Sequence, residues 1–286
     1  MTIQISTLRD KAITIRLTRS QYQPYKFDRA VTDATEASAG VSGAGRYTKR
    51  LLKDCKELDA VTHAFTDVYR FVMEQTLPWM DEGVRVLPNE SYAEFCKEFG
   101  NLKTKALNRV HDLVTAWDDA IDKDKTRLGS MFNICDYPTK EELVTKFDIR
   151  LTFAPVPSSE DFRIDLSDDD KADLESAVAD VENKATDYLL KQILAPVKAM
   201  ADKLAVPIGQ QGSVFRDTLV SNVHDITKRA KKLNINNDET INELIELIED
   251  ELGGVTANEL RVHSDVRSAT AESMRSVATK INQYFM

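Results

Sequence analysis

The chain has 286 residues, 42% of them hydrophobic, enough for one large core or two small ones without a metal or disulfide to hold it. Ten glycines and eight prolines are few for this length, which excludes a fold of many short strands and favours long helices. The net charge of −9 excludes nucleic-acid binding over the whole surface, yet residues 1–53 hold ten basic and four acidic side chains, a balance of +6 that leaves −15 for the remainder.

Cys55, Cys96 and Cys135 lie far apart and form no CxxC pair. They read as small buried hydrophobes in a reducing compartment, not as a disulfide framework. Residues 1–20 carry Arg9, Asp10, Lys11, Arg16 and Arg19 without a continuous apolar run, so no signal peptide is expected. No stretch approaches the roughly 18 apolar residues of a membrane span. A soluble cytoplasmic protein, without membrane contact, is the expectation.

Residues 1–29 read as a basic β-hairpin region: Ile3–Leu8 and Ala12–Thr18 alternate apolar and polar positions across an Arg9-Asp10-Lys11 turn. Residues 30–45, AVTDATEASAGVSGAG, are small, polar and aperiodic, and read as a flexible linker. Residues 46–210 read as a helical core. Leu51, Cys55, Leu58, Thr62, Phe65, Tyr69 and Val72 recur at spacings of four and three, a heptad-like seam ending before Pro78. A second helix is expected from the Ser91-x-x-Glu94 capping box to Gly129, through Phe95, Phe99, Leu102, Ala106, Val110, Leu113, Trp117 and Ile121. The two would fold back as a coiled-coil-like antiparallel hairpin.

Thr139-x-x-Glu142 opens a short helix. Phe147–Phe153 and Phe162–Leu166 then alternate like a β-hairpin near 147–166. Ser167-Asp-Asp-Asp170 caps a third long helix, lined by Leu174, Val178, Val181, Ala185, Tyr188 and Ile193 and interrupted by Pro196. Residues 211–286 read as a C-terminal helical region, with helices near 213–233, 238–252 and 257–284. Ile241, Leu244, Ile245, Ile248 and Leu252 share one face of the middle one; Val262, Val266, Ala269, Val277 and Ile281 form a sparser stripe on the last. The fold class that emerges is mainly α with a small β element.

No motif carries chemistry. The run Gly40-x-x-Gly43-x-Gly45 is followed by Arg46-Tyr47 where a phosphate-binding loop needs Lys and Ser or Thr. His63, His111, His224 and His263 form no metal-ligand pair, and the acidic run Asp118 to Asp124 lacks the glycine of a calcium loop. The expectation is a non-enzymatic chain with no catalytic residue, cofactor or metal. One alternative rests on the basic segment. Arg16, Arg19, Tyr22, Tyr25, Lys26, Arg46, Lys49 and Arg50 interleave cations with aromatic rings, a composition suited to single-stranded DNA.

Three segments carry a resemblance: Thr76-Leu-Pro-Trp-Met-Asp-Glu-Gly-Val-Arg-Val-Leu-Pro88, Asp136-Tyr-Pro138, and Pro155-Val-Pro157 followed by Asp161-Phe-Arg163. In this order they resemble an uncharacterised family of tailed-bacteriophage proteins, over about residues 1–210. The resemblance implies a phage accessory protein in the cytoplasm of the infected bacterium. Its relatives are often encoded near MoxR-type AAA+ ATPases, which makes such a motor, or another phage or host protein, the expected partner. The resemblance brings no catalytic residues, and it leaves the first motif as a corner between two helices. A homo-oligomer is expected instead from the long seams, whose Thr, Tyr and Ala positions leave apolar surface that a second copy of the chain would cover.

Overall fold

The computed structural model describes residues 5–80, 82–157 and 167–285. In chain order the elements are α1 (Ile5–Lys11), β1 (Ala12–Ser20), β2 (Tyr25–Phe27), α2 (Arg29–Ala39), β3 (Thr48–Arg50), α3 (Lys56–Glu74), β4 (Leu77–Pro78), β5 (Val84–Pro88), α4 (Tyr92–Thr115), α5 (Trp117–Leu128), α6 (Lys140–Thr145), β6 (Asp148–Pro155), α7 (Asp168–Leu204), α8 (Thr218–Leu233), α9 (Glu239–Leu252), α10 (Glu259–Val262) and α11 (Ser264–Gln283). The chain is therefore mainly helical with a small antiparallel sheet, of strand order β4-β5-β1-β6, and a separate two-stranded ribbon, β2-β3. No helix among the described residues is long and apolar enough to cross a membrane.

Two compact units divide the chain, and neither is contiguous. The first comprises Met1–Arg16, Met73–Phe95 and Phe153–Met286. Its axis is α7, whose 37 residues span about 55 Å. Both α11 and α8 pack along it, and α9 packs on those two. Leu189, Ile193, Val197, Met200 and Leu204 of α7 meet Val223, Ile226 and Ala230 of α8 and Met274, Val277 and Ile281 of α11 in one core. All five expected residues of α9 are buried in it, each contributing roughly 1.5–3 kcal/mol by leaving water.

The second unit comprises Leu17–Val72 and Cys96–Thr152. Its apolar faces are Leu58, Val61, Phe65, Val68 and Val72 on α3 and Ala106, Val110, Leu113, Trp117 and Ala120 on α4 and α5. Phe65 meets Phe147 edge-on at 5.8 Å between ring centres.

Several sequence expectations are corrected. No hairpin forms within residues 5–20: α1 replaces the first strand from Ile5, because Arg9 and Lys11 fall in the last turn of a helix, where cations suit the dipole. The partner of β1 comes instead from β5, with Ala12 opposite Pro88 and Arg16 opposite Val84. The linker at 30–45 is helix over its first ten residues. Asp28 caps α2 by accepting from the Val31 amide, and Gly40 closes it at φ +70°.

The first long helix starts at Lys56, not Arg46, and runs 19 residues. Of its seam, Leu58, Phe65 and Val72 are buried. Thr62 and Tyr69 are exposed, and Val61 and Val68 take their place. The segment after it is a β-hairpin rather than a helix corner. Leu77 pairs with Val86 and Pro78 with Arg85, the turn passes through Gly83 at φ +81°, and Trp79 lies partly buried against the core. This hairpin joins α3 to α4 in place of the close coiled-coil turn.

The second long helix is broken at Ala116 (φ −87°, ψ 6°) into α4 and α5. Its start is also different: a 3-10 turn over Asn89–Ser91 leads into Tyr92. The last helix is broken at His263, so α11 buries Arg267, Thr270, Ala271 and Met274, while Val262 and Ala269 are exposed. The Thr139–Glu142 capping box forms as expected, while Thr256 and Glu259 exchange reciprocal bonds only ahead of the one-turn α10 and not at the start of α11. The expected strand Phe162–Leu166, the Asp161-Phe-Arg163 motif and the side chains of Leu174 and Val178 lie outside the described residues. The C-terminal helical region shares one core with α7.

Candidate functional site

The second unit is built around two buried ionic knots. In the first, the Asp124 carboxylate accepts from the Leu52 amide at 2.7 Å, the Tyr137 hydroxyl at 2.6 Å and the Arg127 Nε at 2.6 Å. Leu52 sits at φ +51°, a left-handed backbone that a branched side chain adopts only when held. Asp124 holds it by its amide. Burial first, and the bond to Asp124 second, push the Tyr137 phenol well above the ordinary tyrosine range.

In the second knot, the buried Lys49 ammonium lies 2.7 Å from Asp136, 3.0 Å from Asp28 and 2.9 Å from the Met131 carbonyl. Burial alone would lower its pKa, but the two carboxylates outweigh it and the pKa is raised. The bond from Lys49 holds the Asp28 carboxyl below its usual range, helped by the Val31 amide. Pro138 completes the pair by accepting from the Trp117 indole at 3.0 Å. Each residue of Asp136-Tyr-Pro138 thus has a structural task.

Beyond α2 the chain folds back on the helix. The Glu36 carboxylate accepts from the amides of Gly43, Ala44 and Gly45 at 2.9, 2.8 and 3.1 Å. Those bonds lower its pKa, and they give the glycine run an internal anion to wrap. Between α2 and residues 130–136 lies an open groove of about 1040 Å³, floored by Ala30, Ala34 and Ser38 and closed at one end by Asp28, Lys49 and Asp136.

The ribbon beside this groove pairs Tyr25 with Arg50, Lys26 with Lys49 and Phe27 with Thr48. Opposite residues share a face of an antiparallel pair, so Tyr25, Phe27, Thr48 and Arg50 stand together. That face is open: Tyr25 is 53% exposed and Phe27 43%. The Arg46 guanidinium lies over the Phe27 ring at 4.6 Å.

Of the eight residues the sequence singles out, the structure gathers Tyr25, Lys26, Arg46 and Arg50 on or beside the ribbon. Lys49 is spent inside the second knot. Tyr22 is half-buried, edge-on to Trp117 at 5.7 Å, its hydroxyl enclosed without a hydrogen-bond partner among the described residues. Burial, then Asp124 and Asp136, push its pKa up to about 12. Arg19 stacks over Tyr69 at 4.4 Å, and Arg16 is exposed on β1 in the other unit. Phe27 joins the face, and the alternation of Tyr25 and Phe27 with Lys26 is the signal that marks it.

In the first unit, two buried arginines do comparable structural work. Arg85 donates to the Thr76 hydroxyl and to the Met73 carbonyl, each at 3.0 Å, beneath the Tyr188 ring. Arg267 donates to the carbonyls of Leu204, Lys203 and Ser213 at 3.0 Å and of Leu260 at 3.3 Å. Arg261 donates to the Phe215 carbonyl at 3.0 Å and pairs with Asp217. These bonds pin loop 205–217 to the α10–α11 turn; Val214 on the loop is 84% exposed, and Val262 at the end of α10 is 63% exposed. Among the described residues no three His, Cys, Asp or Glu side chains are placed to hold a metal ion.

No protein-family model matches the chain, and no curated protein or solved structure matches it either.

Proposed function

We propose that the chain is a non-enzymatic accessory protein of a tailed bacteriophage, acting in the cytoplasm of the infected cell by binding another protein. The observation that carries this reading is two apolar side chains held out in water, Val214 on the loop that Arg261 and Arg267 pin and Val262 at the end of α10. Apolar side chains on a pinned loop lose little entropy when a partner covers them, the condition for a binding anchor. The buried ions of both units are engaged in holding backbone, which fits a scaffold. The partner that the phage resemblance points to is a MoxR-type AAA+ ATPase.

The test uses the full chain and a purified MoxR-type ATPase from such a phage, with binding read by interferometry. Micromolar binding that falls at least about tenfold in Val214→Asp/Val262→Asp supports the reading, a change of ~1.4 kcal/mol. Absence of binding, or binding indifferent to that variant, rejects it for this surface. Self-association through the same valines is the homo-oligomer form of the proposal. Light scattering then gives a mass above 32.2 kDa that returns to one chain in the variant.

A further inference from the structure

We propose that the outer face of the β2–β3 ribbon binds single-stranded nucleic acid, with the Tyr25 and Phe27 rings stacking on bases and Arg46 and Arg50 facing phosphates. The site lies in the second unit and stands independently of the protein-binding reading, which rests on the first.

Ring spacing chooses the ligand. Tyr25 and Phe27 are two residues apart on one strand and on one face, so their side chains are about 7 Å apart. Stacked nucleotides of a duplex strand rise only about 3.4 Å each. Two rings at twice that spacing accept successive bases only from a strand whose bases have separated. A duplex keeps its bases paired inside and offers these rings nothing to stack on.

Charge agrees. The acids between residues 25 and 50 are Asp28, Asp33 and Glu36, and each is engaged within the chain: Asp28 by Lys49, Asp33 by Arg29 and Glu36 by three backbone amides. Arg46 and Arg50 have no carboxylate partner among the described residues, so their charge is available to phosphate. The acidic remainder of the chain then confines the contact to this face. The arginine over Phe27 occupies one side of the ring and offers a guanidinium plane of its own, a second stacking surface.

The experiment is fluorescence anisotropy of the full chain with labelled oligo-dT, oligo-U and a duplex, between low and moderate salt. The expected result is binding of either single strand, weak binding of duplex, and a salt slope of about −1.4, about 0.7 for each of two phosphates. Tyr25→Ala/Phe27→Ala is expected to weaken binding by about tenfold or more, and Arg46→Glu/Arg50→Glu to abolish it at moderate salt. Lys228→Glu/Lys231→Glu, at the basic end of α8, is expected to leave it unchanged. Photocrosslinking of bromodeoxyuridine oligonucleotide to the unsubstituted chain, mapped to Tyr25 or Phe27, reads the site without any variant. No binding at low salt, equal binding of duplex, or crosslinks confined to other segments overturns the proposal. Recovery of an acidic protein on this face in place of the oligonucleotide overturns it too.

Discussion

Tyr137 donates its hydroxyl to Asp124 across 2.6 Å in the interior of the second unit, and the same carboxylate oxygen accepts the Leu52 amide. One buried carboxylate thereby holds a turn in left-handed backbone and a loop from a different part of the chain. Tyr137→Phe removes one donor while keeping the ring, and it is expected to cost about 1–2 kcal/mol. Asp124→Asn exchanges a charged acceptor for a neutral one beside Arg127 and is expected to cost more, about 3 kcal/mol. Urea unfolding of both variants and of the double variant checks this. Additive losses would mean that the two side chains do not share the work.

The same knot makes the second unit sensitive to alkali. The phenols of Tyr22 and Tyr137 are both raised above their ordinary value of 10.0, so folding favours the neutral form. Their contribution is fully present below pH 10 and is lost as pH rises, through about 12 for Tyr22. Phenolate absorbance during a pH titration should show two tyrosines ionising late and together with loss of the fold. Eight tyrosines titrating as one group near pH 10 would contradict it.

Glu36 gives the opposite sign at the acidic end. Its folded pKa lies below the ordinary 4.5, so its hold on Gly43, Ala44 and Gly45 is complete above pH 4.5 and lost as pH falls through the lower folded value. Amide resonances of those three residues should shift together in that range. In Glu36→Gln they should lose this titration, with the loop loosened at neutral pH while α2 persists.

Arg267 supplies a prediction for the first unit. Its guanidinium holds four carbonyls, two of them at the end of α7, and burial lowers its pKa without removing its charge. Arg267→Met keeps the stem and orphans those acceptors. A loss of about 3 kcal/mol in urea unfolding is expected, and Arg267→Lys should recover little of it because an ammonium cannot reproduce the fork. A midpoint unchanged in Arg267→Met would show that water satisfies the carbonyls.

Helical periodicity made much of this fold legible. All five apolar positions of α9 are buried, and Thr139 caps the helix its box announces, because residues within a turn or two determine both features. What was hidden depends on partners far along the chain. Nothing near Leu52 announces Asp124, and nothing near Lys49 announces Asp136. A helix of small residues such as α2 carries no apolar stripe, so its cap at Asp28 was the one local clue. The ribbon was half legible: interleaved cations and rings marked the segment, but only the strand register separates outward Tyr25 and Arg50 from inward Lys49.

The Arg267 joint also bears on how freely this sequence can drift. Its hydrogen-bond acceptors all belong to the main chain, at positions 203, 204, 213 and 260, and every amino acid supplies the same carbonyl. Those four positions are unconstrained by the joint, while position 267 is constrained by all of them. Related sequences that diverge along α7 and its following loop should therefore still keep one arginine, sixteen residues before the end of α11 at Gln283.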